Sequence, residues 1–320
     1  MKAKGPILLL ITAILWGMAF VAQTTASQDV QPFTFNASRN FVGALFLTGV
    51  IAARKRTGSD RAPCRDDAAV DGAQARDGYS MRELLVGGIA CGVVLFVASY
   101  LQQAGISSYP SDAAISGRSG FITALYMIIV ALIGFFVGKR PHPLVFVAVG
   151  IALVGLWLLC VPDGFENLYW GDVLVFLCAI GYAVHIIVID RYTHVDGVRL
   201  SRVQLLASGV LSLVCALVFE HPQMSLVIAA AIPILYAGIC SDGIAYTFQI
   251  IAQKTTDPTV ASILMSLESV FAALGGWLVL SEALSPVELV GCALVFAAVM
   301  IAQVPDFIEN ARSKRLAKVD

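Results

Sequence analysis

Four stretches of the chain, residues 5–28, 84–111, 119–138 and 141–162, contain no Asp, Glu, Lys or Arg. A helix that crosses a bilayer needs about 20 mostly apolar residues, and each stretch reaches that length. Shorter charge-free runs cover 173–189, 203–219, 222–241 and 289–305, and two more segments, 33–53 and 258–281, hold one charge each, Arg39 and Glu268. The pattern predicts ten transmembrane helices, at about 6–26, 33–53, 84–105, 113–137, 143–161, 171–190, 202–219, 230–253, 259–280 and 287–304. Of the 320 residues, 58% are hydrophobic and 13% charged, where a soluble domain has about 25% charged. Too few charges remain to clothe a water-facing surface, which argues against a soluble enzyme, a nucleic-acid binder and a disordered chain. Lys2 and Lys4 before an apolar run imitate a secretory leader, but the spans that follow favour an uncleaved first helix. The seven cysteines are scattered singly, without CxxC or Cys/His spacing, and read as small hydrophobes. No cofactor is implied.

Positive charge in short loops marks the cytoplasmic side. With the N-terminus inside, the cytoplasmic segments are 1–5, 54–83, 138–142, 191–202, 254–258 and the tail from 305. They hold every Lys and Arg except Arg39 and Arg118. The outer loops hold acids such as Asp29, Asp163, Glu166, Glu220 and Glu282, and no Lys or Arg. Both termini are expected in the cytoplasm, with the chain in the cell inner (plasma) membrane. Ten spans divide as five plus five. Trp16 in AILWGMAF and Tyr182 in AIGYAVHI occupy matching places in spans one and six, and Lys139-Arg140 after span four aligns with Ser281-Glu282 after span nine. Because five is odd, the second set enters from the opposite side. The expected fold is therefore an all-α integral membrane protein of two inverted five-helix repeats, an architecture of secondary transporters. The expected units are residues 1–162, with a solvated cytoplasmic linker at 54–82, then 163–305, then a cytoplasmic tail at 306–320.

Residues spaced by 3, 4 and 7 share a helix face. Eight spans carry polar residues on such a face, among them Trp16 and Gln23, Arg39 and Asn40, Ser99 and Gln103, Thr123 and Tyr126, Tyr182 and His185, and Asp242, Tyr246, Gln249 and Gln253. Spans five and ten have no stripe. Their small residues Ala148, Ala152, Gly155, Gly291, Ala293 and Ala297 allow close helix approach, and a homodimer through 143–161 and 287–304 is one expectation. The other eight helices are expected to surround a polar cavity, with Trp16, Arg39, Gln103, Tyr126, Tyr182, Tyr246 and Gln249 as its candidate substrate-facing residues.

Charges within a membrane are costly and usually face a cavity or a partner. Asp242 and Glu268, near the middle of spans eight and nine, are candidate proton-coupling carboxylates. Arg39 is a candidate for an anionic substrate group or for neutralising a carboxylate. His185 is a secondary candidate as a proton relay, and Arg118, near a span end, as an interfacial charge. The alternative is that Arg39 or Arg118 pairs with one of the acids and only locks helices together. SGRSG at 116–120 lacks the flanking strand of a phosphate-binding loop. The four histidines, 142, 185, 194 and 221, lie apart, without the clustered acids or nucleophile that a membrane-embedded enzyme needs.

The residues resemble the EamA-type branch of the drug/metabolite transporter superfamily over all ten spans. The likeness is carried by AYTFQIIAQKTTDPTVASILMSLESVFAALGGWLVLSEALS at 245–285, by Pro32 with Arg39, and by LWG at 15–17, SGFITALY at 119–126 and GDVLVFLCAIGYAV at 171–184. It implies efflux or exchange of small metabolites, amino acids or drug-like compounds by alternating access, through a cavity lined by spans one to four and six to nine. The sequence departs from the family pattern at Ser269 and Ala131, where prolines are common, and at Lys139-Arg140, where an acid is common. The expected partners are a small-molecule substrate and the bilayer, with no nucleic acid. A lipid-carrier flippase of the same fold and, behind it, a membrane-embedded enzyme are the alternatives.

Overall fold

The computed structural model describes residues 4–57, 64–65, 78–110, 114–136, 142–160 and 169–282, and from there 285–287, 289–298, 300–301 and 304. Their main elements are helices α1 (Lys4–Ala26), α2 (Pro32–Arg56), α3 (Met81–Ser107), α4 (Ile115–Phe136), α5 (Pro143–Cys160), α6 (Trp170–Arg191), α7 (Gly197–Phe219), α8 (Ala231–Gln253), α9 (Pro258–Leu280) and α10 (Leu289–Ala298). A short helix, Met224–Ala229, leads into α8, and a two-residue strand pairing joins Cys64–Arg65 to Tyr79–Ser80. Most of the expected linker, the Lys139-Arg140 pair, Asp163, Glu166 and the tail lie outside the described residues.

Among the described residues seven helices, α1, α3, α4, α6, α7, α8 and α9, are long and apolar enough to cross a membrane. Their surface agrees with a lipid surround. Leu217, Phe219, Ile232 and Leu278 are among the exposed large side chains, while Asn36, Arg39, His185, Gln204, Asp242 and Glu268 are buried. Apolar residues outside and polar residues inside invert the order of a soluble protein and suit a bilayer. The chain is an all-α, multi-pass membrane protein.

Local chemistry sets where helices begin. Ser80 and Glu83 form a reciprocal capping box that starts α3 at Met81 rather than at 84. Asp196 accepts from the Arg199 amide and starts α7 at Gly197, ahead of the expected 202. Asp257 caps α9, with Pro258 in its first turn.

The helices then pack in a specific order. α3 lies along α6 and α7, α2 along α7 and α8, α1 along α8 and α9, and α4 along α9 and α6. Several of these contacts rest on glycine, because backbones can approach only where no Cβ intervenes. A Cβ on Gly238 of α8 would sit 2.6 Å from Val42 Cβ and 2.7 Å from Arg39 O on α2, and one on Gly43 would sit 2.7 Å from Gly238 O. Several small residues of α5 and α10 pack within the chain. A Cβ on Gly155 would lie 2.8 Å from Gly291 O, and Ala148, Ala152 and Ala298 belong to one internal cluster. Outward these helices present Val154 and Trp157 on α5 and Val290 and Phe296 on α10, with Gly150 and Ala293 also exposed.

Gly238→Leu forces apart α2 and α8, which Gly43 and Gly238 bring together. The expected loss is about 1–3 kcal/mol or more, read as a lower midpoint of thermal unfolding in detergent, whereas Gly49→Leu, where a Cβ meets nothing within 4 Å, leaves the midpoint unchanged.

Candidate functional site

The middle of the bundle holds a narrow, partly open cavity. Its walls stand close, with room for little more than a couple of waters, so a solute of several heavy atoms needs the walls to part. Seven helices supply the lining: α1 gives Trp16, Phe20 and Gln23, α2 Arg39, α3 Gln102, α4 Thr123 and Tyr126, α6 Tyr182 and His185, α8 Ser241, Tyr246 and Gln249, and α9 Glu268.

Three irregular stretches of backbone put these side chains there. α8 is wound as a π-helix over Ala237–Ala245, between α-helical ends at Ala231–Tyr236 and Tyr246–Gln253. Such turns are rare and shift the phase of the residues that follow. Two carbonyls of this stretch accept bonds from α1, Ser241 O from Trp16 Nε1 at 3.3 Å and Ala245 O from Thr12 Oγ1 at 3.3 Å. Tyr246, the first residue after the π stretch, is then held edge-on by Trp16, with ring centres 5.0 Å apart, and by His185 at 5.6 Å.

The other two irregularities are breaks. In α4 the helix is interrupted at Ala124 and Leu125, and in α9 at Ser266 and Leu267. The amides of Leu125, Met127 and Ile128 reach back three residues instead of four, and so do those of Leu267, Ser269 and Val270. Tyr126 and Glu268 each stand first after a break, and both face the cavity. No proline is involved. Ser262, Ser266 and Ser269 donate their hydroxyls to carbonyls three residues back, Thr259 O, Ile263 O and Ser266 O, a local bonding that bends helices.

The buried charges differ in their partners. Arg39 Nε lies 3.2 Å from Asp242 Oδ2, both residues nearly inaccessible. The pair is an ion pair without hydrogen-bond alignment, and Arg39 Nε and Nη1 and both Asp242 oxygens lack a hydrogen-bond partner. Asp242 stands behind Arg39 and outside the lining. Glu268 has no cation beside it among the described residues. Its Oε1 is unpaired, and the unpaired Tyr126 Oη faces it. Gln249 is 1% exposed with both amide ends unpaired. His185 Nε2 lies 3.2 Å from Gln204 Oε1 of α7, and Tyr182 Oη donates to Gln102 Oε1.

Two expected residues lie elsewhere. Gln103 turns away from the cavity and donates to Gln23 O of α1 at 3.2 Å. Arg118 makes a two-pronged ion pair with Asp172 of α6, both contacts at 2.7 Å, and Asp172 also accepts from Tyr109 Oη. This cluster belongs to the end of the bundle where α4 and α6 begin, called here the far end. α1 begins at the near end. Two more far-end carboxylates close helix starts. Glu220, after α7, accepts from the amides of Phe33 and Thr34 and from Thr34 Oγ1, and Glu282, after α9, accepts from Ser116 N and Oγ.

The profile of the EamA-like transporter family matches residues 3–161 and, a second time, 169–303. The chain belongs to the EamA-like transporter family. It is 26% identical over 295 residues to an uncharacterized transporter of Archaeoglobus fulgidus, covering 92% of this chain and 83% of that one. To the uncharacterized transporter YoaV of Bacillus subtilis it is 23% identical over 292 residues, covering 88% and 90%. A protein of known crystal structure, 22% identical, shares the fold with a TM-score of 0.67 over 95% of this chain and 99% of its own.

Within this EamA-like chain, the lining residues outside the expected set are Gln102, Thr123, Gln23, Ser241, Phe20, Ala19 and Ile186. Gln23 and Thr123 stand on stripes readable from spacing, but Gln102 and Gln103 are adjacent and only packing decides which faces inward. The capping roles of Glu220 and Glu282 carry no local signal, because each acts on a helix more than a hundred residues away.

Burial raises the Glu282 carboxyl above its ordinary value, while bonds from Ser116 act against the rise. A carboxyl that holds its proton more tightly when folded lowers folded stability as pH climbs from its ordinary range through the raised value. Stability of the wild type is therefore expected to fall across that window, and that of Glu282→Gln to stay flatter, as checked by thermal unfolding at a series of pH values.

Proposed function

We propose that the chain is a secondary transporter whose ten helices form two inverted repeats, α1–α5 and α6–α10, which rock about the central cavity and open it to one side of the membrane at a time. The observation that carries this reading is the pair of breaks. α4 and α9 tighten at corresponding amides, and each break brings one polar side chain, Tyr126 or Glu268, to the cavity. Two further observations support it. The helix contacts map onto themselves when the two sets of five are exchanged: α3 on α6 becomes α8 on α1, α3 on α7 becomes α8 on α2, and α4 on α6 becomes α9 on α1. The family profile matches each half separately.

The near end carries Arg54, Lys55 and Arg56 at the close of α2 and Arg191 at the close of α6. It faces the cytoplasm on this reading, with both termini inside and the far end outside the plasma membrane. The substrate is a small metabolite, amino acid or drug-like compound. It lies among Trp16, Tyr182, Tyr246 and Tyr126, with Gln249 and Gln102 to bond its polar groups. Arg39 and Asp242 largely neutralise each other. Glu268 has no such partner, and an ionised carboxylate left alone in the membrane is costly. A proton relieves that cost, so Glu268 is the group through which proton movement couples to solute export or exchange.

A thermal-shift screen of the purified protein against amino acids, nucleobases and cationic drugs at two pH values selects the solute. Its flux in proteoliposomes is expected to follow an imposed pH gradient in the wild type. In Glu268→Gln that response falls by about tenfold or more, while the variant elutes as the wild type does on size exclusion. Flux that still tracks the gradient in Glu268→Gln refutes the coupling role.

A further inference from the structure

Toward the far end, the chain buries a second set of polar groups that mostly lie outside the cavity lining. Asn36 of α2 is 0% exposed, and neither end of its amide has a hydrogen-bond partner, so turning the amide over changes nothing. One turn closer to the cytoplasm, Asn40 donates from Nδ2 to Ser208 Oγ of α7 at 3.1 Å and leaves its own Oδ1 unpaired. α2 and α7 are antiparallel, Glu220 joining the end of α7 to the start of α2 and Arg54 approaching Asp196 at their other ends. One turn outward on each helix therefore sets Asn36 beside Ser212, whose buried Oγ is also unpaired. A buried polar group without a partner costs about 1–3 kcal/mol and is rare. Several on one seam mark a place that water or a ligand fills.

The seam has limits on both sides. Arg39, between Asn36 and Asn40 on α2, lines the central cavity, which puts the seam beside it. Toward the cytoplasm, Ala44 and Leu47 of α2 close on Leu95 of α3 and Leu205 of α7 in an apolar cluster. Toward the outside, Phe33 lies two turns before Asn40 on the same face of α2 and stacks on Tyr100 of α3, ring centres 4.0 Å apart and 6° from parallel. Glu220 pins this end of α2 through the Phe33 and Thr34 amides.

We propose that the seam is a second, outer station on the solute path, under a lid formed by Phe33 and Tyr100 and latched by Glu220. Its side chains are uncharged and offer both donors and acceptors. It therefore takes the neutral hydrogen-bonding groups of a polar solute, hydroxyl or amide, together with their water, after they leave the charged cavity. The station rests on the transport reading above.

The test uses the full chain with its seven native cysteines replaced by serine or alanine, carrying either Ser212→Cys or Asn36→Cys. A membrane-impermeant, cationic methanethiosulfonate reagent is applied to right-side-out and to inside-out vesicles. Both cysteines are expected to react faster from the outside, and Phe33→Ala to raise that rate severalfold. Reaction from the cytoplasmic side alone, reaction from neither side, or a rate indifferent to Phe33→Ala overturns the station. If Asn36→Cys does not fold, Ser212→Cys, which exchanges oxygen for sulfur, carries the test. Solute flux by a chain with an unreactive seam overturns the station and leaves the transport reading standing. A reactive seam in a chain that moves no solute keeps the station and overturns the transport reading.

Discussion

Lipid cannot hydrogen-bond, and every other feature of this molecule follows from that. Helices are the form in which a single chain satisfies its backbone in such a solvent without closing a barrel, and side chains that need partners turn inward. Lipid tails are as apolar as leucine, so helices gain little from hiding apolar surface from them, and association depends on close backbone contact and on bonds between helices. Gly43 against Gly238, Gly105 against Gly171 and Gly155 against Gly291 are the close contacts. Asn40 with Ser208, His185 with Gln204 and Arg118 with Asp172 are the bonds.

The same rule makes unmet polar groups informative. Far-end carboxylates are fully engaged: Asp172 holds Arg118, Tyr109 and its own helix start, and Glu220 holds three donors of α2. At the centre Glu268, Tyr126 and Gln249 keep open valences. The open valences of the centre fall where the helices are also least regular, at the π stretch of α8 and the breaks of α4 and α9.

Much of the fold could be read from charge alone, because a bilayer tolerates so few Asp, Glu, Lys and Arg that their positions mark the helix ends. The remaining errors at the ends come from caps: Ser80 and Asp196 start α3 and α7 earlier than hydropathy does, since capping is a local hydrogen-bond effect that averages over apolar windows miss. The candidate site was legible only as faces. Spacing pointed Trp16, Tyr126 and Tyr182 inward, while Glu268 stood out only by its charge, off the serine stripe of its helix; and spacing set Asp242 and Gln249 on one regular stripe, whereas the π stretch leaves Gln249 in the lining and Asp242 behind Arg39. The partner of a buried charge was out of reach as well, because Arg39 and Asp242 are two hundred residues apart in the chain and adjacent only after packing.

The break in α9 has a consequence of its own. A proline break is permanent, because the missing amide hydrogen can never return to the ladder. Here every residue from Ser262 to Val270 keeps its N–H, and what bends the helix is hydroxyl bonding by serines that can rotate away. The segment thus retains everything needed to straighten into continuous α-helix. Doing so would swing Glu268 about the axis without breaking a covalent constraint, giving this stretch two backbone shapes of comparable hydrogen-bond content.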